Sequence, residues 1–302
     1  MSAHTDTAAA PPIHADPSID PASTIGTVRL TVSDLGRSRS FYEHALGLVP
    51  QELDDARLAL GAAGKPALVE LAGDACAPAL DRRATGLYHL AILVPSRLDL
   101  AHALARLAEA RWPLDGASDH LVSEALYLSD PDGNGIEIYH DRPREQWRYE
   151  GGRLQMATLA LDLHSLVGEL AAAASPQRSV PAAMRIGHVH LKVSDLGEAE
   201  AFYHGVLGFD VTVSDYPGAL FVSAGGYHHH VGLNTWHSAG SSPPAPGSIG
   251  LRSFEVELTG AAELEQVLAR IAAAGLTVDP ALSGTGWVVR DPSGNAVVLR
   301  SR

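Results

Sequence analysis

Fifteen of the 302 residues are histidine, and the informative ones stand at every-second-residue spacing among apolar residues. In GHVHLKV (187–193), His188, His190 and Lys192 alternate with Val189, Leu191 and Val193. In LYHLAILV (87–94), Leu90, Ile92 and Val94 share one parity and His89 the other. NGIEIYH sets Glu137 and Tyr139 opposite Ile136 and Ile138, and HHHVGLN sets His228, His230 and Asn234 opposite Val231 and Leu233. Successive side chains of a strand point to opposite faces, so each segment predicts one covered apolar face and one polar face. Imidazoles and carboxylates gathered on the polar faces could hold a divalent metal or move protons. A lone strand histidine, by contrast, is ordinarily a satisfied surface or core residue.

These segments belong to a repeat. IGTVRLTVSDLGRSRSFYEHALGL (25–48) and IGHVHLKVSDLGEAEAFYHGVLGF (186–209) match at thirteen of twenty-four positions with an offset of 161, and DPDGN (130–134) matches DPSGN (291–295). Self-similarity at a fixed offset marks a duplicated domain. Within each half a strand and helix open the pattern, further strands follow, and the pattern restarts near 85 and 250. The reading is an α+β fold of four β-α-β-β-β units in two duplicated halves, with helices covering one face of curved sheets. Residues 1–23 read as a disordered tail, 24–140 as an N-terminal domain of two units, 141–184 as a linker with one helix over 161–174, and 185–302 as a C-terminal domain of two units. The DPxGN pentapeptides read as hairpin turns, and Phe41-Tyr42 and Phe202-Tyr203 as core packing.

Composition narrows the function. Twenty-two Lys+Arg against 35 Asp+Glu leave a net charge of −13, which offers no basic field for nucleic acid or an anionic membrane. The single Cys76 excludes a disulfide framework and a thiolate cage. No apolar run approaches the roughly 18 residues of a membrane helix, and no signal peptide is evident, so a cytoplasmic location is expected.

The repeated strand–D-L–F-Y–L-G pattern, the DPxGN hairpins, GYHHHVGLNTW (226–236) and the run from His120 through Leu126-Tyr127 and Asp130-Pro131-x-Gly133 to Glu137 together resemble the vicinal oxygen chelate superfamily. That superfamily holds glyoxalase I, bleomycin-resistance proteins and extradiol dioxygenases, and this chain is most similar to the catechol 2,3-dioxygenase-like group. Ser118 departs from the extradiol signature. The resemblance implies that the metal ligands are His89, Glu137 and His188. Thr27, Ser253 and Val298 stand where units one and four would carry theirs, so the one live site is expected between units two and three. It also implies an Fe(II) cofactor, with Mn(II) not distinguished by ligand type, a small aromatic catechol-type substrate, and O2. His230 and Tyr127 are the implied catalytic residues, with His120 as hydrogen-bond partner. His190, Tyr139, Asn234 and Trp236 are assigned to the substrate pocket, His228 and His229 to structural or rim positions, and Glu70 to the dead site. A homo-oligomer is left open. The alternatives are a glyoxalase-type lyase or isomerase, which needs a fourth ligand, and a non-catalytic protein that sequesters an aromatic drug.

Overall fold

The computed structural model describes residues 18–172, 179–281 and 284–302. Two sheets hold the chain together, and each takes one unit from each half. The sheet that carries the histidines runs Leu159–Ala160, Gly116–Asp119, Ser123–Ser129, Gly135–Asp141, Gly86–Leu93, Arg185–Lys192, Val231–Asn234, Ala219–Ser223 and Asp210–Val213. The other runs Asp279–Pro280, Trp287–Arg290, Ala296–Ser301, Gly250–Leu258, Thr24–Val32, Ala67–Gly73, Arg57–Gly61 and Val49–Asp54. Units two and three therefore share one sheet and units one and four the other.

The apolar parity read from the strands is the core parity. Val28, Leu30, Leu90, Ile92, Val189, Leu191, Phe254 and Val256 lie in one buried cluster that spans both sheets. Helices close it. Asp34 caps Leu35–His44 by accepting from the Arg37 amide, Asp195 does the same for Glu198, and Ser96 caps Arg97–Glu109 through Asp99. Such caps satisfy amides that a helix leaves unpaired at its start.

The Phe-Tyr and DPxGN motifs turn out to be one device. The Tyr42 hydroxyl donates to the buried Asp130 carboxylate at 3.3 Å, and Tyr203 donates to Asp291 at 3.0 Å. Each aspartate also accepts from the backbone and side-chain nitrogens of Asn134 or Asn295. The helix of one unit is thereby bonded to the closing hairpin of the next within each half. Gly133 and Gly294 take positive φ (88° and 85°) inside these turns, a conformation that favours glycine.

Two segments depart from expectation. Residues 18–23, read as part of a disordered tail, are packed: Ile19 is buried, its amide donates to Gly208 at 2.8 Å, and the Asp20 amide donates to Glu263. One apolar side chain and two backbone bonds suffice to dock this short polar stretch; residues 1–17 lie outside the described residues. The stretch read as a linker contributes more than its helix, Leu163–Ala172. Leu159–Ala160 adds an edge strand beside Gly116–Asp119, which brings residues 156–158 to the cavity described below. No helix among the described residues is long and apolar enough to cross a membrane.

Gly135 opens the strand of Glu137, and a Cβ there would press on the Tyr88 carbonyl oxygen. Backbone cannot yield as a side-chain tip can. Gly135→Ala should cost about 1–3 kcal/mol, the scale of an overpacked core, read as a lower midpoint in chemical denaturation with an unchanged slope.

Candidate metal centre

Three strands place the central residues. Gly86–Leu93 runs antiparallel to Arg185–Lys192 and parallel to Gly135–Asp141, with His89 opposite His190 and Ala91 opposite both His188 and Glu137. A register shift between Ile186 and His188 lets the ladder bend at Gly187. His188 Nε2 and His89 Nε2 each lie 3.0 Å from Glu137 Oε2. One ligand atom from each of the three side chains lies within 4.8 Å of the others, and all three residues are buried.

Burial alone would raise the Glu137 carboxyl, but the His188 and His89 imidazoles overcome it and hold it well below the ordinary carboxylate range. Burial pushes His188 down to about 4 despite Glu137 beside it. His89 Nε2 reaches Glu137 in distance yet makes no hydrogen bond. A buried polar nitrogen without a hydrogen bond is costly in a folded core. A cation would satisfy it, and a divalent ion held by two imidazoles and one carboxylate fits this donor set.

A cavity of about 610 Å³ is lined by two of the trio, His89 and Glu137, together with Tyr127, His120, Ser118 and His190. Tyr127 stands across from Glu137 in the hairpin. Its hydroxyl lies 2.7 Å from His120 Nε2, and His120 Nδ1 lies 2.7 Å from the Ala157 carbonyl oxygen. A carbonyl only accepts, so in the neutral ring Nδ1 carries the proton and Nε2 accepts from Tyr127. Burial, aided by the charge of Glu137, raises Tyr127 well above the usual phenol value and keeps it protonated. His190 is buried, its Nε2 has no hydrogen-bond partner, and its ring lies 5.0 Å from His89 and 5.5 Å from Trp236.

Three pocket or catalytic assignments need correction. His230 does not line this cavity. Its Nδ1 accepts from the Ala224 amide at 3.1 Å, and its ring lies against Tyr227 and Phe209. The strand begins only at Val231, with bends at His228 and His230, so strict alternation cannot be extended back through the three histidines. His229, assigned to the rim, is the one that lines the cavity, with its ring 4.0 Å from that of His188. Tyr139 is fully buried behind His188 and bonded to Tyr227 at 2.6 Å. Asn234 is also fully buried away from the cavity, its Oδ1 accepting from the Trp236 amide. Both sit on the expected parity, but neighbouring side chains close over them. Trp236 does line the cavity, as do Tyr88, Phe221 and Tyr216, which parity did not single out. Tyr88 lies beside the register shift at His190–Leu191, where two consecutive side chains reach the cavity side.

A model of the glyoxalase/bleomycin resistance protein/dioxygenase superfamily matches residues 24–138 and 185–299. The chain belongs to this superfamily. It is 45% identical over 285 residues to a catechol-2,3-dioxygenase of Bacillus subtilis (strain 168), covering 93% of this chain and 98% of that protein. Among solved structures, a putative dioxygenase of Bacillus subtilis superposes with a TM-score of 0.63 at 16% identity, covering 94% of this chain and 86% of that one. Glyoxalase I of Zea mays does so with a TM-score of 0.55 at 16% identity, covering 93% and 92%. These two likenesses bear on the fold.

The opening strands pair antiparallel in both sheets, and the polar residues they carry have diverged. In the sheet of units one and four, Arg29 Nη2 lies 2.6 Å from Glu255 Oε1 and its Nε 3.1 Å from Glu70 Oε2. The cation at that position is the chain's own guanidinium. Among the described residues His89, Glu137 and His188 form the one metal-type cluster.

Two measurements test this centre. Reconstituted with Fe(II) and desalted, the protein should retain about one ion per chain, and His89→Ala or His188→Ala should retain almost none by elemental analysis; full retention in either variant contradicts the assignment. Separately, burial and the neighbouring His228 and His188 push His230 down to about 3. The unfolded chain takes up that proton near pH 6.5 and the folded one does not. Stability should therefore fall as pH drops from about 6.5 toward about 3, and His230→Phe should flatten that slope in acid-dependent denaturation.

Proposed function

We propose that the protein is a non-haem Fe(II)-dependent extradiol dioxygenase that opens a catechol-type aromatic ring with O2. The observation that carries this reading is the convergence of His89, His188 and Glu137, whose ligand atoms lie within 4.8 Å of one another, with His89 and Glu137 in the cavity lining beside the bonded pair Tyr127–His120. The 45% identical relative named catechol-2,3-dioxygenase supports it. His89, His188 and Glu137 would hold the iron, which would supply binding for both substrate oxygens and O2 and a path for electrons between them. Mn(II) accepts the same donors; iron is the metal proposed.

The rest of the work belongs to the chain. His229 faces the cavity beside His188, and burial together with the surrounding His188, His228, His190 and His89 holds it well below the ordinary histidine value. A neutral imidazole there takes a proton from a substrate hydroxyl and returns it later, as a general base and acid. Tyr127, its hydroxyl donating to His120, presents an oxygen lone pair to a substrate hydroxyl. The unpartnered His190 Nε2 offers a further hydrogen bond. Tyr88, Trp236 and Phe221 supply aromatic faces around His190 for the ring. A glyoxalase-type reaction needs a fourth ligand from the strand beside His190, and Gly232 stands there, packed against the His190 ring.

Oxygen-electrode screening of the Fe(II)-reconstituted protein against a panel of catechols and hydroquinones tests the reading. Uptake of O2 with appearance of a yellow ring-opened product is expected; iron-loaded protein that consumes no O2 with any of them overturns it. His229→Phe should retain iron and lose turnover on the order of 10²-fold or more. His230→Phe should stay within a few-fold of the parent, and Tyr127→Phe should fall between them.

A further inference from the structure

We propose that Asp141 and His228 are positioning residues that fix the tautomer of His229, so that its bare Nε2 faces the cavity. The inference rests on the proposed role of His229 and adds a chain of buried groups behind it that ends on the half-buried Asp141. His229 Nδ1 lies 2.8 Å from His228 Nδ1, and His228 Nε2 lies 2.9 Å from Asp141 Oδ1. Asp141 also accepts from the Tyr227 hydroxyl at 2.9 Å, and the Tyr227 oxygen lies 2.6 Å from that of Tyr139. His228 and Tyr139 are fully buried, with His229 and Tyr227 nearly so.

The directions of these bonds follow from one fact: a carboxylate has no proton to give. His228 Nε2 and Tyr227 must both donate to Asp141. Tyr227, having spent its proton, accepts from Tyr139. A neutral His228 that carries its proton on Nε2 has a lone pair on Nδ1. His229 Nδ1 must then donate to it, which leaves His229 Nε2 without a proton. That nitrogen is the one free to take the hydroxyl proton of a bound substrate. When it does, the new positive charge is shared along Nδ1–H to His228 and answered by Asp141. Carboxylates that orient an imidazole act this way in hydrolytic triads, where the amide variant leaves geometry intact and selects the wrong tautomer. Here one further imidazole lies between the carboxylate and the base.

None of the four groups behind His229 belongs to the ligand trio, so metal content and relay function separate. Nitrogen-15 NMR of the metal-free, histidine-labelled protein reads the tautomer directly, with His229→Gln identifying the resonances. The expected spectrum has a protonated Nδ1 and a bare Nε2 at His229; a protonated Nε2 overturns the proposal, whether or not the protein proves to be a dioxygenase. In Asp141→Asn the amide donates to His228 Nε2, the proton of His228 moves to Nδ1, and that of His229 moves to Nε2. The variant should keep its iron and its KM and lose kcat on the order of 10²–10⁴-fold, and Asp141→Glu should recover part of the loss. Unchanged kcat in a folded, iron-loaded Asp141→Asn refutes the relay. Failure of the parent to oxidise any catechol, with the NMR tautomer as expected, refutes the dioxygenase reading and leaves the relay standing.

Discussion

Everything at the candidate centre depends on the antiparallel pairing of Gly86–Leu93 with Arg185–Lys192. These strands open units two and three and come from different halves of the chain. Only their pairing brings His89 to His188, and only the parallel strand beside Gly86–Leu93 adds Glu137. Strand pairs of this kind set side-chain spacing to a few ångströms with no adjustable loop between them, and a slip of one residue would turn every histidine to the other face. The pairing bends at Gly187 and again at His190–Leu191, and the Tyr139 hydroxyl lies where a Cβ on Gly187 would otherwise point.

The same constraint, applied twice, yields two sites with opposite contents. Thr24–Val32 pairs with Gly250–Leu258 as its counterparts pair in the other sheet. There the positions of the ligand trio hold Thr27, Ser253 and Val298, and Arg29 lies between Glu70 and Glu255. A buried carboxylate such as Glu255 is tolerated when a cation meets it. In one sheet the chain brings that cation as a side chain; in the other, two imidazoles flank the carboxylate and form a set of metal-type donors. Duplication thus preserves the frame while the chemistry is confined to one of its two copies.

Around the centre the hydrogen bonds are directional. The Ala157 carbonyl orients His120 and thereby Tyr127, and the Asp141 carboxylate orients His228 and Tyr227. Each side of the cavity therefore ends in an acceptor that has no proton of its own, and each sets the polarity of the groups between it and the cavity. The residues that supply these acceptors lie in the 141–184 segment or at its edge, which makes that segment part of the site as well as a connection between halves.

What the amino-acid sequence determined by itself was whatever depends on periodicity and repetition. The four units, the covered faces of the strands, and the parity of His89, Glu137, His188 and His190 follow from alternation and repetition, whereas the pairing of units two and three is implied by the family resemblance. Alternation is a property of extended backbone, so it is legible exactly as far as the strand runs. It fails at 228–230, where the chain bends before Val231 and His229, not His230, turns to the cavity. Tertiary structure alone decided the rest. Tyr139 and Asn234 have the parity of cavity residues but are sealed beneath their neighbours, because parity says which face a side chain leaves from and nothing about what covers it. Ile19, Met156, Ala157 and Thr158 come to their places through contacts distant in sequence. The Tyr42–Asp130 and Tyr203–Asp291 bonds each cross 88 residues, and no local pattern encodes a partner at that separation.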